Sequence, residues 1–424
     1  MRLLFRGGAV FAGGKLRGAD AFIDGGRIAS VGAGIPPEAA DEIVNCIGKV
    51  VIPGFADAHT HLREPGFSYK ETVRAGTLAA ARGGYTQVLT MPNVEPAPDD
   101  PGHLEAQAAI LRRDAAVRAR PFGAITRGRL GREPSDIEAL APHVAGFSDD
   151  GAGVMDEGVM RAAMARIARA GGILAAHCED ASIAGAGVAH DGAFARFAGL
   201  AGIPSEAEWR PLKRDLRLVR ETGCRYHLLH ASCAESVALI REAKRAGLPV
   251  TAEAAPHSLL LHDGRIENDG RFKMNPPIRA LRDRDALVEG LIDGAIDLIA
   301  TDHAPHSAAE KAGGFRDAAM GVVGLETAFP ALHTGLVKTG ILSLEKLLAL
   351  LCDAPRRVFG LPGGLREGGE ADLAVLDLER AYEIRPEGFL SMGRSTPFEG
   401  WRVFGACERT LVDGRAVWEA KHGR

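Results

Sequence analysis

Val50-Val51-Ile52-Pro53-Gly54-Phe55-Ala56-Asp57-Ala58-His59-Thr60-His61 is the stretch on which the fold turns. An apolar run ends in two histidines one residue apart, and alternate residues at a strand end point to one face. Two imidazoles side by side in that position are arranged to hold a metal ion, although the pair alone would serve equally as packing or surface histidines. Three further apolar segments end in ligand-type residues. Residues 173–176 run into His177, 226–229 into His230 and 297–301 into Asp302. Four strand ends then converge on one site.

Short apolar strands separated by Ala/Arg/Glu-rich helical stretches, with chemistry at the strand C-termini, are the pattern of an α/β protein built as a (β/α)8 TIM barrel. The barrel is expected over residues 55–365. Helical periodicity is plain in 71–82, 103–113, 156–170 and 233–246, and 86–89 and 249–252 read as further strands. A doubly wound open sheet would gather its ligands mainly at one switch point instead of spreading them from position 59 to position 302. The flanks alternate apolar and polar residues with frequent Gly turns. Asp24-Gly25-Gly26-Arg27 and Asp413-Gly414-Arg415 are both hairpin-like. Residues 1–54 and 366–424 are therefore expected to pair into one small β-sandwich domain.

Composition excludes several classes. In a chain of 424 residues, 51 Lys and Arg against 55 Asp and Glu leave a formal charge of −4, with no basic field for nucleic acid. No run of 18 apolar residues suggests a membrane span, and the polar N-terminus lacks a signal-peptide core, so a cytoplasmic protein is expected. Six cysteines without CxxC spacing signal neither a disulfide framework nor a zinc knuckle.

Imidazole and carboxylate ligands without thiolate suit Zn²⁺ or a similar divalent ion. His59, His61, His177, His230 and Asp302 are five, too many for one tetrahedral catalytic ion, so two ions are the better reading. A two-ion site needs a bridging anion. The segment Gly146-Phe147-Ser148-Asp149-Asp150-Gly151, apolar and then acidic, supplies Asp149 or Asp150, unless this Asp-Asp-Gly is only a turn.

The motifs His59-Thr60-His61-Leu62-Arg63-Glu64-Pro65-Gly66, Met91-Pro92-Asn93, His177-Cys178-Glu179-Asp180, Met274-Asn275-Pro276-Pro277, Asp302-His303-Ala304-Pro305-His306 and Gly324-Leu325-Glu326-Thr327 resemble the dihydroorotases of the amidohydrolase superfamily, in the expected order over nearly the whole chain. The resemblance implies reversible hydrolysis of the ring amide of dihydroorotate to N-carbamoyl-aspartate, a step of pyrimidine synthesis. It implies His59 and His61 on one ion, His177 and His230 on the other, Asp150 as the bridge, and Asp302 on the first ion as the catalytic proton shuttle. On the substrate it implies Arg63, Asn93 and His306 at the carboxylate, and Asn275 with the backbone of Met320 and Gly321 at the ring amide edge. Met320 departs from the bulkier aromatic frequent in the family. Related enzymes bridge their ions with a carboxylated lysine, but no lysine occurs between Lys70 and Lys213, so the carboxylate-bridged type is expected.

Arg63 is also legible on its own chemistry, since a planar guanidinium two residues beyond the second histidine can grip a carboxylate through two hydrogen bonds. His257 is expected no closer than behind the ligands. His303 should face away from Asp302, and His103, His143, His262, His333 and His422 read as ordinary surface or packing residues. Glu179 and Asp180 are expected to orient neighbouring groups or to cap a helix, and 307–324 has the composition of a mobile flap. The competing readings are another cyclic-amide hydrolase of allantoinase or hydantoinase type, and an inactive homologue serving as structural partner of a transcarbamoylase. The resemblance further suggests a homodimer, with association with aspartate transcarbamoylase as an option.

Overall fold

The computed structural model describes residues 1–421, so His422 lies outside the described residues. The barrel strands are Phe55–Thr60, Tyr85–Thr90, a third in two pieces (Arg118–Pro121 and Gly123–Ala124), Phe147–Ser148, Ile173–Ala176, Arg225–Leu228, Val250–Ala254 and Leu298–Ile299. Neighbours pair in parallel throughout. A parallel bridge between Thr60 and His303 closes the ring, with the His61 N–H donating to the His303 carbonyl at 2.9 Å.

Helices cover the outside of the barrel, which is why its strands read as continuous apolar runs and not as alternation. All six residues of Phe55–Thr60 are buried, as are all six of Tyr85–Thr90. The connecting helices Val73–Arg82, Pro101–Asp114, Glu157–Arg169 and Ala234–Arg245 lie where periodicity predicts them. The first three start on side-chain caps: Thr72, Asp100 and Asp156 accept from the backbone N–H three residues on. No helix among the described residues is long and apolar enough to cross a membrane.

The two ends of the chain meet in a second body. Its six-stranded sheet runs in the order Arg415–Glu419, Arg402–Val412, Leu373–Glu383, Lys49–Pro53, Ala9–Ala12, Lys15–Gly18, so C-terminal and N-terminal strands join at the antiparallel pair Leu373↔Pro53 to Asp377↔Lys49. A four-stranded sheet of N-terminal strands packs on one face, sharing a core of Phe5, Val10, Ile23, Val51, Val375 and Leu411. Strand alternation sends Val50, Ile52, Ala374 and Leu376 the other way, into the main barrel core. Pro53 ends a sandwich strand and Phe55 begins the barrel strand that carries the two histidines. That strand is thus anchored in both cores.

Candidate metal centre

All six side chains expected to bind metal come together at the C-terminal ends of the barrel strands. His59 is the fifth residue of its strand and His61 follows it; Asp150, His177, His230 and Asp302 each lie one to three residues past a strand end. Asp150 sits in the middle. Its Oδ1 is 3.5 Å from His59 Nε2, 3.5 Å from His177 Nδ1 and 3.4 Å from His230 Nε2, and its Oδ2 is 3.6 Å from His61 Nε2. Asp302 Oδ1 lies 3.1 Å from His61 Nε2 and 3.4 Å from His59 Nε2. Asp149, the other acidic candidate, is turned away and accepts from the N–H groups of Ile125 and Thr126. Hydrogen bonding therefore separates the two neighbours that spacing alone left open.

The outer nitrogens of the two strand-end histidines are fixed from behind. His59 Nδ1 donates to Glu253 Oε1 at 2.7 Å and His61 Nδ1 to Asn93 Oδ1 at 2.8 Å, so both Nε2 atoms face the cluster. Glu253 also takes His227 Nε2 at 3.0 Å and the His230 N–H at 3.2 Å. One buried carboxylate thereby orients two of the clustered residues. Neither Glu253 nor His227 was found from sequence, although an acid in the apolar strand Val250-Thr251-Ala252-Glu253-Ala254 was a usable signal.

Burial opposes charge in this cluster and wins at His61, whose pKa it lowers, while at His59, Asp150, His177 and Glu253 the neighbouring charges override it. Asp302, Asp150 and Glu253 hold His59 well above the usual imidazole range. His59, with His177 and His230, pulls Asp150 well below the usual carboxylate range. Asp150 and Glu179 raise His177 to about 10, while Glu253 is held at about 2 by His59 and His227. Two buried atoms stay unsatisfied nonetheless: His59 Nε2 and Asp150 Oδ1 have no hydrogen-bond partner. Unpaired imidazole nitrogen and carboxylate oxygen, converging without a thiolate, fit divalent cations. The groups His59/His61/Asp302 and His59/Asp150/His230 each bring three potential ligand atoms within 4.8 Å of one another. The local backbone is strained to reach this arrangement, because Arg63, His230 and Asp302 have φ of 62°, 31° and 48°.

The residues expected at the substrate form an adjoining wall. Arg63 is 8% exposed, and its Nε donates to the Pro305 carbonyl at 3.1 Å. Burial lowers its pKa, with the carboxylates of Asp302 and Asp150 acting against that shift. Asn93 lies between His61 and Asp150, its Nδ2 3.5 Å from Asp150 Oδ2. His306 is held between Lys70 Nζ at 3.3 Å from Nδ1 and the Met320 carbonyl at 2.9 Å from Nε2, and burial beside Arg63 and Lys70 pushes its pKa down to about 3. Asn275 donates to Glu179, whose carboxylate is 3.4 Å from His177 Nε2. In the Gly321 backbone, expected at the ring amide edge, the N–H donates to the Lys273 carbonyl at 3.0 Å.

His303 does face away from Asp302, taking the Gly324 N–H on Nδ1 at 3.2 Å. Asp180 caps the short helix Ala181–Ala184. His257 is buried behind the cluster, and desolvation lowers it to about 4. Cys178, beside His177, is a buried free thiol 3.1 Å from the Tyr226 hydroxyl.

Residues 48–236 match the family model described as Dihydro-orotase-like. Dihydroorotase of Geobacillus sp. (strain WCH70) is 47% identical over 99% of both chains, and that of Bacillus caldolyticus is 49% identical over 94% of both. Among solved structures, the L-hydantoinase (dihydropyrimidinase) of Arthrobacter aurescens superposes with a TM-score of 0.88 at 27% identity, covering 98% of this chain and 96% of that one. Identity at this level across nearly the full length of both chains, with the two-histidine strand and its converging partners in place, makes this chain a member of the dihydroorotase family.

Proposed function

We propose that the chain hydrolyses the ring amide of dihydroorotate to N-carbamoyl-aspartate and catalyses the reverse ring closure, using two divalent cations, Zn²⁺ by preference. The observation that carries this reading is the convergence of four imidazoles and two carboxylates at the barrel mouth beside a buried guanidinium, in a chain 47% identical to a protein named dihydroorotase. His59, His61 and Asp302 would hold one cation, His177 and His230 the other, with Asp150 between them. Such ions lower the pKa of water and polarise a carbonyl oxygen. No lysine occurs from 71 to 212, which favours Asp150 over a carbamate as the bridge.

The remaining steps belong to side chains of the protein. Arg63 would take the substrate carboxylate through its guanidinium fork, with Asn93 and His306 beside it, and would fix the ring over the cluster. Asp302 would accept the proton of the attacking water and deliver it to the departing ring nitrogen, a poor leaving group without that transfer. Charge on His59 and the hydrogen bond from His61 hold Asp302 below the usual carboxylate range, against its burial. Asn275 and the main chain at Met320 and Gly321 would meet the amide edge of the ring. In this division of labour the barrel, 55–365, does the chemistry, and the terminal segments 1–54 and 366–424 brace it. The same reading extends to a cytoplasmic homodimer able to associate with an aspartate transcarbamoylase.

The test is a substrate panel on protein of measured metal content. Turnover of dihydroorotate in excess of allantoin, dihydrouracil and hydantoin supports the proposal, because those three lack the carboxylate that Arg63 would bind. Preference for any of them overturns it, and inactivity of the fully metallated protein on all four favours the inactive-homologue reading.

A further inference from the structure

Lys311 stands out among the charged groups outside the cluster. Its Nζ donates to three main-chain carbonyls, those of Lys273 at 3.1 Å, Ala319 at 2.7 Å and Gly321 at 2.8 Å. An ammonium has three protons, and here each has an acceptor. The partners are carbonyls and not carboxylates, so the contact is a geometric staple more than an ion pair. Burial and the neighbouring Lys273 ammonium push the Lys311 pKa down to about 8.

The three carbonyls lie on the two segments assigned above to the amide edge of the ring. Lys273 precedes Met274-Asn275, and the Asn275 amide reaches His177 through Glu179. Ala319 and Gly321 flank Met320, whose carbonyl accepts from His306 Nε2. The base of the staple is itself fixed. Ser307 and Glu310 form a capping box on the helix Ala308–Lys311, and Glu310 pairs with Lys70 at 2.7 Å.

We propose that Lys311 is a positioning residue whose ammonium holds the Met320-Gly321 turn and the Met274-Asn275 segment at a fixed separation, and so sets the part of the wall that receives the ring amide edge. The inference rests on the dihydroorotase reading above. Segment 307–324 is then a tethered wall, in which Lys311 reinforces the Gly321 N–H to Lys273 carbonyl bond and the Lys273 Nζ to Arg316 carbonyl bond that also join it to the neighbouring loop.

The experiment compares Lys311→Met, Lys311→Gln and Lys311→Arg with the unmodified, metal-loaded protein. Lys311→Met is expected to raise KM for dihydroorotate roughly tenfold while kcat falls less and metal content is unchanged, the pattern of lost ground-state positioning. Lys311→Gln, with two donors and no charge, should be intermediate, and Lys311→Arg should recover most of the loss. If Lys311→Met cannot be obtained folded, the contrast between the Gln and Arg variants decides. KM within twofold of the parent in every folded variant overturns the inference, as does a fall in Tm with KM unmoved. Failure of the unmodified protein to turn over dihydroorotate overturns the function first and this inference with it; a normal parent with normal variants overturns this inference alone.

Discussion

The clustered histidines and the wall beside them are built in opposite ways. The cluster hangs on barrel strands, and its members are fixed by side chains: Glu253 behind His59, Asn93 behind His61. The wall hangs on loops and is fixed largely by main-chain carbonyls, with Pro305 aiming Arg63, Met320 holding His306 and three carbonyls gathered by Lys311. Rigid strand ends suit groups whose mutual distances decide whether cations bind, while loops suit groups that must match one substrate among several cyclic amides. Chemistry and specificity are therefore separable by mutation.

The largest effect should come from the cluster. Asp302→Asn keeps size and one acceptor oxygen but cannot take a proton, and we expect kcat to fall by about 10²–10⁴ with the circular dichroism spectrum unchanged. Near-normal turnover would remove Asp302 from the proton relay and blur the division just drawn. Arg63→Met should come next. Loss of a buried charge that grips a carboxylate is worth about 2–5 kcal/mol, so kcat/KM for dihydroorotate should drop by about 30-fold to several thousandfold. Metal content should stay constant. An Arg63 variant that loses metal instead would show that the wall supports the cluster.

Glu253→Ala probes the cluster from behind. It removes the acceptor of His59 Nδ1 and the partner of His227, freeing the ring to rotate. Affinity for the cations should weaken about 10–100-fold, measured by competition with a chelator, and activity should return at high metal concentration. Unchanged affinity would mean that the strand backbone alone orients His59.

The same contrast explains what could be read before any coordinates. His59, His61, His177, His230 and Asp302 were visible because a parallel strand buried on both faces ends abruptly in polar residues. Asp150 and Asp149 were indistinguishable until the hydrogen bonds of Asp149 to Ile125 and Thr126 sorted them. The terminal sandwich was legible from its turns, because Gly at positive φ marks Gly25, Gly26 and Gly414. Lys311 left no trace in the sequence: its three acceptors are backbone atoms, and any residue type supplies a carbonyl. The helix Glu206–Thr222 was hidden for another reason. Pro211 interrupts its periodic pattern, although the buried stripe of Leu212, Leu216 and Val219 continues past it.

The smallest effect should come from the opposite end of the barrel. Arg118 begins the third barrel strand and pairs with Asp372 at 2.6 Å, Asp413 at 2.5 Å and Glu370 at 2.9 Å, all from the C-terminal segment. It ties the sandwich to the N-terminal face of the barrel, the face where side chains serve stability and not turnover. The guanidinium is partly exposed, so solvent screens it and the network is worth about 1 kcal/mol despite its three carboxylates. Arg118→Ala should lower Tm by a few degrees at most, with kcat and KM unaltered at temperatures where the protein is folded. The loss should shrink further in high salt. A variant with intact Tm and impaired KM would instead mean that the sandwich communicates with the barrel mouth, and that the terminal segments do more than brace the strand carrying His59 and His61.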